Sequence, residues 1–197
     1  AACDKPVPSL WEAQRAIAHL LTNPRAPLSS GGTHRGVLRL EVALSNAAEP
    51  MEWLSHQAIY PRLYFSDRDK NVQVAGVGSA QTIRGDHGSE QAVWHQMTEA
   101  LGDTERARFY GGARFDPHAD PARWGREWQA FGGCTFILPL WEVQVSQAGC
   151  HLACHLRWGD GGCTTSGICH SYRQAADEAL EMMQRLIWLV DPVPKPV

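Results

Sequence analysis

The densest collection of chemistry-bearing side chains is Cys150-His151, Cys154-His155, Cys163 and Cys169-His170, four thiols and three imidazoles within 21 residues. Soft thiolates and imidazoles are the ligands of tetrahedral zinc. Zinc modules, however, bring their ligands together as pairs about two to four residues apart, normally twice. Only Cys150 and Cys154 have such a gap here, and the next separations are eight and five residues. Cys150, Leu152, Cys154 and Leu156 also alternate with His151, Ala153, His155 and Arg157, the pattern of a strand with thiols on its apolar side. A free cysteine in that setting behaves as a small hydrophobe, so packing is expected and a metal site is not. Six cysteines in 197 residues without a secretory signal fit a reducing or mildly redox-regulated compartment better than a disulfide scaffold.

Other motifs carry less chemistry. Gly76-Val77-Gly78 follows an apolar run, but neither a third glycine nor a P-loop lysine comes after it, so a dinucleotide or triphosphate cradle fails its spacing test. Close backbone packing is the expected reason for those glycines. Asp116, His118 and Asp120 could hold a divalent ion, yet Asp116-Pro117 and Asp120-Pro121 are turn dipeptides whose carboxylates bond their own backbone. None of the nine histidines stands beside a serine or cysteine in a nucleophile setting.

The elements that must position these residues alternate between helix and strand. Ser9 and Glu12 form a capping box, with Leu10, Ala13, Ile17, Leu20 and Leu21 at helical spacing behind it. A helix over about Leu10 to Leu21 follows, and Arg25 to Arg35, rich in Pro, Ser and Gly, is a loop. From Val37 the period falls to two. Leu38, Leu40, Val42 and Leu44 are expected on a core face, with Arg39 and Glu41 facing water. Further strands are expected over Arg62 to Ser66, Val72 to Val77, Ala107 to Phe115, Thr135 to Val145 and His151 to Trp158. Ser89 to Leu101 reads as a helix, and a last one starts at the Ser171/Gln174 box. Its stripe of Tyr172, Ala176, Ala179, Met183, Leu186 and Val190 ends at Asp191-Pro192. Trp11, Trp94 and Trp188 are expected to fill core from helices, and Trp128, Trp141 and Trp158 to sit at strand ends. Strands closed by helices imply an α+β fold with antiparallel sheets. The organisation is 1–34 as helix and Pro/Gly/Ser-rich loop, 35–190 as the α/β unit, and 191–197 as a Pro-rich linker.

Bulk properties exclude several function classes. The chain is 44% apolar with a net charge of -3, long enough to bury roughly 70% of its unfolded surface and without the basic field that nucleic acid or anionic lipid requires. Its longest apolar run, Leu186 to Val190, is far short of the ~20 residues of a membrane span. A soluble protein without nucleic-acid or membrane partners is expected. It opens Ala1-Ala2-Cys3-Asp4-Lys5 without an initiator methionine or signal peptide, as a processed or excised form would.

Four blocks carry a resemblance: Gly36 to Val42; Pro61 to Asp69 with Val74 to Ala80; Phe109-Tyr110-Gly111-Gly112-Ala113-Arg114-Phe115-Asp116-Pro117; and Glu127 to Gly132 followed by Phe136 to Val143. In this order and spacing, over roughly residues 35 to 190, the chain resembles plant and algal isochorismate synthases, members of the chorismate-utilising enzymes. The resemblance implies an α/β sandwich of antiparallel sheets with outer helices, present here as its N-terminal half only. It also implies Mg2+-dependent conversion of chorismate to isochorismate for phylloquinone, menaquinone or salicylate synthesis. In that family the base lysine, the acid that helps the C4 hydroxyl leave, the Mg2+ carboxylates and the arginine for the substrate carboxylate lie in the C-terminal half. No position here matches those motifs, so no catalytic, cofactor-binding or metal residue is assigned. Lys5 and Lys195 stand in Pro-rich segments, poor settings for the burial that lowers an amine's pKa. The expected partner is the C-terminal chorismate-binding half or another protein. The two readings are the inactive N-terminal region of a synthase and a stand-alone remnant serving as a structural or binding subunit. The expected location is the chloroplast stroma for a plant or algal source and the cytoplasm for a bacterial one.

Overall fold

The computed structural model describes residues 9–23, 36–44, 49–86, 88–104, 106–116, 125–159 and 171–188. Its helices are α1 (Leu10–Thr22), α2 (Pro50–Ser55), α3 (Glu90–Leu101), α4 (Arg126–Gln129) and α5 (Tyr172–Arg185). Its strands are β1 (Gly36–Leu44), β2 (Arg62–Ser66), β3 (Val72–Val77), β4 (Gln81–Gly85), β5 (Tyr110–Ala113), β6 (Cys134–Leu138), β7 (Trp141–Ser146) and β8 (Gly149–Trp158). Every pairing is antiparallel, in a five-stranded sheet of order β1-β8-β7-β3-β2 and a three-stranded sheet of order β4-β6-β5. The fold class is therefore α+β, as the alternation of periods requires. No helix among the described residues is long and apolar enough to cross a membrane.

One face of the large sheet makes the main core. Leu152, Cys154 and Leu156 of β8, with Trp141 and Val143 of β7, meet Ala13, Ile17 and Leu21 of α1 and Ala175, Ala176, Ala179 and Met182 of α5. Both helices start at complete capping boxes, Ser9 with Glu12 and Ser171 with Gln174. The box of α5 should matter measurably, because that helix seals the sheet. Ser171→Ala is expected to cost about 1 kcal/mol, a drop of about 2–4 °C in Tm for a chain of this size, read by thermal denaturation. A smaller core of Ile83, Val93, Met97 and Cys134 lies between α3 and the three-stranded sheet.

The stretch expected as one strand over Thr135 to Val145 is two strands in different sheets. Pro139 has no N–H to continue the ladder, and the chain turns there. Its neighbour turns beside it, for β3 passes into β4 through Gly78 at φ 68°, with Ala80 N donating to Leu138 O at 2.9 Å. The glycines of that corner are there for packing. A Cβ on Gly76 would lie 2.8 Å from Pro139 Cβ, and one on Gly78 2.4 Å from Met182 Sδ. The same corner creates β4, which lay outside the sequence expectation together with the short helices α2 and α4.

Three further expectations change. The last helix stops at Arg185 rather than near Val190, because Gln57 captures the chain by donating to Ile187 O at 2.8 Å and accepting from Ile187 N at 3.0 Å. Trp188 consequently lies beyond the helix, its ring 5.7 Å from Trp141 and 6.4 Å from Trp53. Trp11 and Trp94 are 51% and 67% exposed and do not fill core, and Trp128 is exposed on α4. β5 is shorter than Ala107 to Phe115 because β6 pairs only with Tyr110–Ala113.

Candidate functional site

The second face of the large sheet carries the largest departure from expectation. Arg39 does not face water: its side chain is 4% exposed, since β5 of the small sheet brings Tyr110 over this face. Register explains the company it keeps. Arg39 of β1 stands opposite His155 of β8, and Glu41 opposite Ala153, which in turn stands opposite Glu142 of β7. Residues directly opposite share a face. Arg39, Glu41, Glu142, Gln144 and His155 therefore converge, as three strands with polar residues at the same phase of the pleat.

Arg39 uses its whole donor fork. Nη1 donates to Glu142 Oε1 at 2.9 Å and to His155 Nε2 at 2.7 Å, Nε to Glu41 Oε2 at 2.9 Å, and Nη2 to Gln144 Oε1 at 3.2 Å. Arg106, itself at φ 67°, closes the outer end on Glu41. The histidine tautomer follows from its neighbours. Its Nδ1 lies 2.9 Å from the Pro139 carbonyl, which can only accept, so Nδ1 carries the proton and Nε2 takes the guanidinium proton. Burial, reinforced by the Arg39 charge, holds His155 down to about 3, and the ring is neutral. Burial pushes the Glu142 carboxyl up, against the opposing pull of Arg39. Burial also raises the Tyr110 phenol, with the Glu142 charge adding to it. Partial burial works against the Glu41 charge, but the Arg39 hydrogen bond and the two arginine charges outweigh it and hold that carboxyl below the ordinary range.

Chemically this cluster binds rather than reacts. Both nitrogens of His155 are occupied, so it can neither take nor give a proton without breaking a bond. Glu142 is sealed under the small sheet. Tyr110 is linked to the Glu142 carboxylate on one side and stacks 5.8 Å from the Phe65 ring on the other. A second crossing runs beside it, where buried Arg157 of β8 donates from Nε to Gln81 of β4 at 3.3 Å. Both links join the two sheets, which makes the layer an electrostatic clamp between them.

Metal chemistry finds no footing among the described residues. No group of three or more His, Cys, Asp or Glu there is placed to hold an ion. Cys150 and Cys154 are buried free thiols on the core face of β8, while His155 points to the opposite face. Burial raises the Cys154 thiol far above its ordinary value, leaving it protonated and unreactive. Cys163, Cys169 and His170 lie outside the described residues, as do His118, Asp120, Lys5 and Lys195. Sequence reading missed the clamp, although Glu142 inside the apolar run Leu138 to Val143 was its one available signal.

Comparison with known proteins places this geometry. Residues 15–185 match the family described as chorismate binding enzyme. The chain is 28% identical to the chloroplastic isochorismate synthase of Catharanthus roseus, covering 74% of this chain and 31% of that protein. It is 30% identical to the chloroplastic isochorismate synthase 2 of Arabidopsis thaliana, covering 73% and 28%. Among solved structures it resembles the menaquinone-specific isochorismate synthase of Escherichia coli, at a TM-score of 0.58 and 19% identity, covering 94% of this chain and 35% of that one. The chain thus spans about a third of the length of the proteins it matches.

Proposed function

The chain belongs to the chorismate-binding enzyme family, and on that premise we propose that it is the N-terminal, non-catalytic region of an isochorismate synthase. It would support conversion of chorismate to isochorismate only together with the part of the fold it does not span. The observation that carries this reading is the coverage: the match runs through nearly the whole chain yet reaches only 31% and 28% of the plant isochorismate synthases. The state of the ionisable groups supports it. Replacing the C4 hydroxyl of chorismate by water at C2 needs a base for the water and an acid for the leaving oxygen. The clamp has neither to spare, since His155 is fully bonded and Glu142 is held by Arg39.

Magnesium belongs to the same division of labour. The ion takes oxygen ligands in octahedral array, and the carboxylates of the clamp, Glu41 and Glu142, are both committed to Arg39. The described residues do not fit a Mg2+ site, and no step is assigned to one here. We place Mg2+ and the substrate with the chorismate-binding portion, in a plastid as the names of the plant relatives suggest, in phylloquinone or menaquinone synthesis.

Two preparations test this. The purified 197-residue chain is expected to form no isochorismate from chorismate and Mg2+ in a chromatographic assay. A chimera in which it replaces the matching third of the Arabidopsis enzyme is expected to form it. Turnover by the chain alone overturns the division of labour. A folded but inactive chimera overturns the isochorismate synthase assignment and favours an inactive remnant acting as a structural subunit.

A further inference from the structure

The two sheets leave four edges, and they are not equally protected. β4 is overlain by α3, so that a Cβ on Gly85 would lie 2.4 Å from Ser89 Oγ and 2.5 Å from Val93 Cγ2. On β1, Thr104 Oγ1 donates to Val37 O and Arg157 Nη1 to Gly36 O, each at 3.3 Å. β2 and β5 have no such cover among the described residues, and they lie side by side through the Phe65 and Tyr110 rings. Natural edges are blunted by lysine, proline, bulges or charge. Beyond Arg62 at its start, β2 reads Leu-Tyr-Phe-Ser, and β5 reads Tyr-Gly-Gly-Ala. Their surroundings are apolar as well. Phe65, Phe115 and Trp128 are exposed, and Arg114 Nη2 ties Trp128 to the end of β5 by donating to its carbonyl at 2.8 Å.

The glycine pair of β5 separates an internal need from an external one. A Cβ on Gly111 would stand 2.0 Å from Thr135 O, so the approach of β6 requires glycine there. Gly112 has no such reason: a Cβ on it meets no described atom within 4 Å, and its backbone is not left-handed. A glycine inside a strand costs chain entropy and cross-strand packing, and where it persists it often marks the close approach of another backbone.

We propose that the β5 edge, flanked by Phe65 of β2, is where the chorismate-binding portion of the family fold docks, adding a strand to the small sheet across Gly112. The occupant follows from the coverage. The E. coli structure is matched over 94% of this chain but only 35% of its own length, so most of that fold has no counterpart here and must pack against what does. This inference rests on the isochorismate synthase reading and specifies its contact surface.

Hydrogen exchange on the chain alone and within the Arabidopsis chimera tests the edge. Amides of β5 and β2 are expected to exchange at least about tenfold more slowly in the chimera. Gly112→Val is expected to leave the Tm of the isolated chain unchanged or higher while lowering that of the chimera. It should also slow the chimera's isochorismate formation by about tenfold, the equivalent of one lost strand contact of about 1.4 kcal/mol. Phe65→Lys, on an already exposed position, provides a second variant with the same expectation, and Trp94→Lys on α3 should change nothing. Equal exchange in both preparations, or a Gly112→Val that destabilises the isolated chain and spares the chimera, overturns the proposal. Protection of β5 in a chimera that makes no isochorismate sinks the functional reading and leaves the docking edge standing. Isochorismate formation with unprotected β5 does the reverse.

Discussion

Arg39→Ala is expected to lower the unfolding free energy by about 3–5 kcal/mol, the cost of removing one partner from a buried ion pair. The size comes from what is left behind. Glu142 would remain buried with its charge uncompensated, Glu41 would lose its inner partner, and His155 Nε2 and Gln144 Oε1 would each lose a donor. Against a total stability of about 5–15 kcal/mol for a typical domain, such a loss moves a denaturant midpoint far enough to be unmistakable. A double variant, Arg39→Met with Glu142→Leu, should recover most of it, because a well-packed apolar pair often equals or exceeds a buried ionic one. Urea titrations of the three proteins check this, with a constant slope required for the comparison. An Arg39→Ala loss below about 1 kcal/mol, the level of a solvated surface pair, would mean that water reaches this layer.

Acidification should destabilise the protein well before the carboxylates titrate. His155 has an ordinary value of 6.5 and is held down to about 3 in the folded chain, first by burial and then by Arg39. Between those values the unfolded chain binds a proton that the folded one refuses, so stability is full above about pH 6.5 and declines as the pH falls. The slope approaches about 1.4 kcal/mol per pH unit for one such group. Glu41, held below its ordinary 4.5, adds a second loss in the same direction below that pH. Glu142 works oppositely, for its carboxyl is pushed up by burial, and proton uptake in the folded state offsets part of the decline. The histidine contribution is isolated by His155→Gln, whose amide can donate to the Pro139 carbonyl and accept from Arg39 without titrating. The variant's stability should be nearly flat between pH 6.5 and 5, where the parent falls. Parallel curves for the two proteins would show that His155 is not the group responsible.

The parts legible in the chain were those decided within a turn of helix or a pair of residues. The capping boxes at Ser9 and Ser171, the period of β1, the exact spans of β2 and β3 and the thiols packed on β8 all rest on contacts between near neighbours. The isochorismate synthase resemblance was legible for the same reason, being carried by contiguous blocks. What misled was partition. An alternating strand shows which side chains share a face but not whether a second layer covers that face, so Arg39 and Glu41 read as solvated and Trp94 as core.

Sequence by itself thus determined the α+β class, the family, the two principal helices and most strand positions, all products of local periodicity and capping. Tertiary structure alone decided the corner at Pro139 that divides one apolar run between two sheets. It also decided the capture of Ile187 by Gln57 across 130 positions and the burial of Arg39 against Glu142 across 103. The physical reason is that a charge is buried or solvated according to which distant strand arrives at its register, and register is a property of the assembled sheets rather than of any one segment.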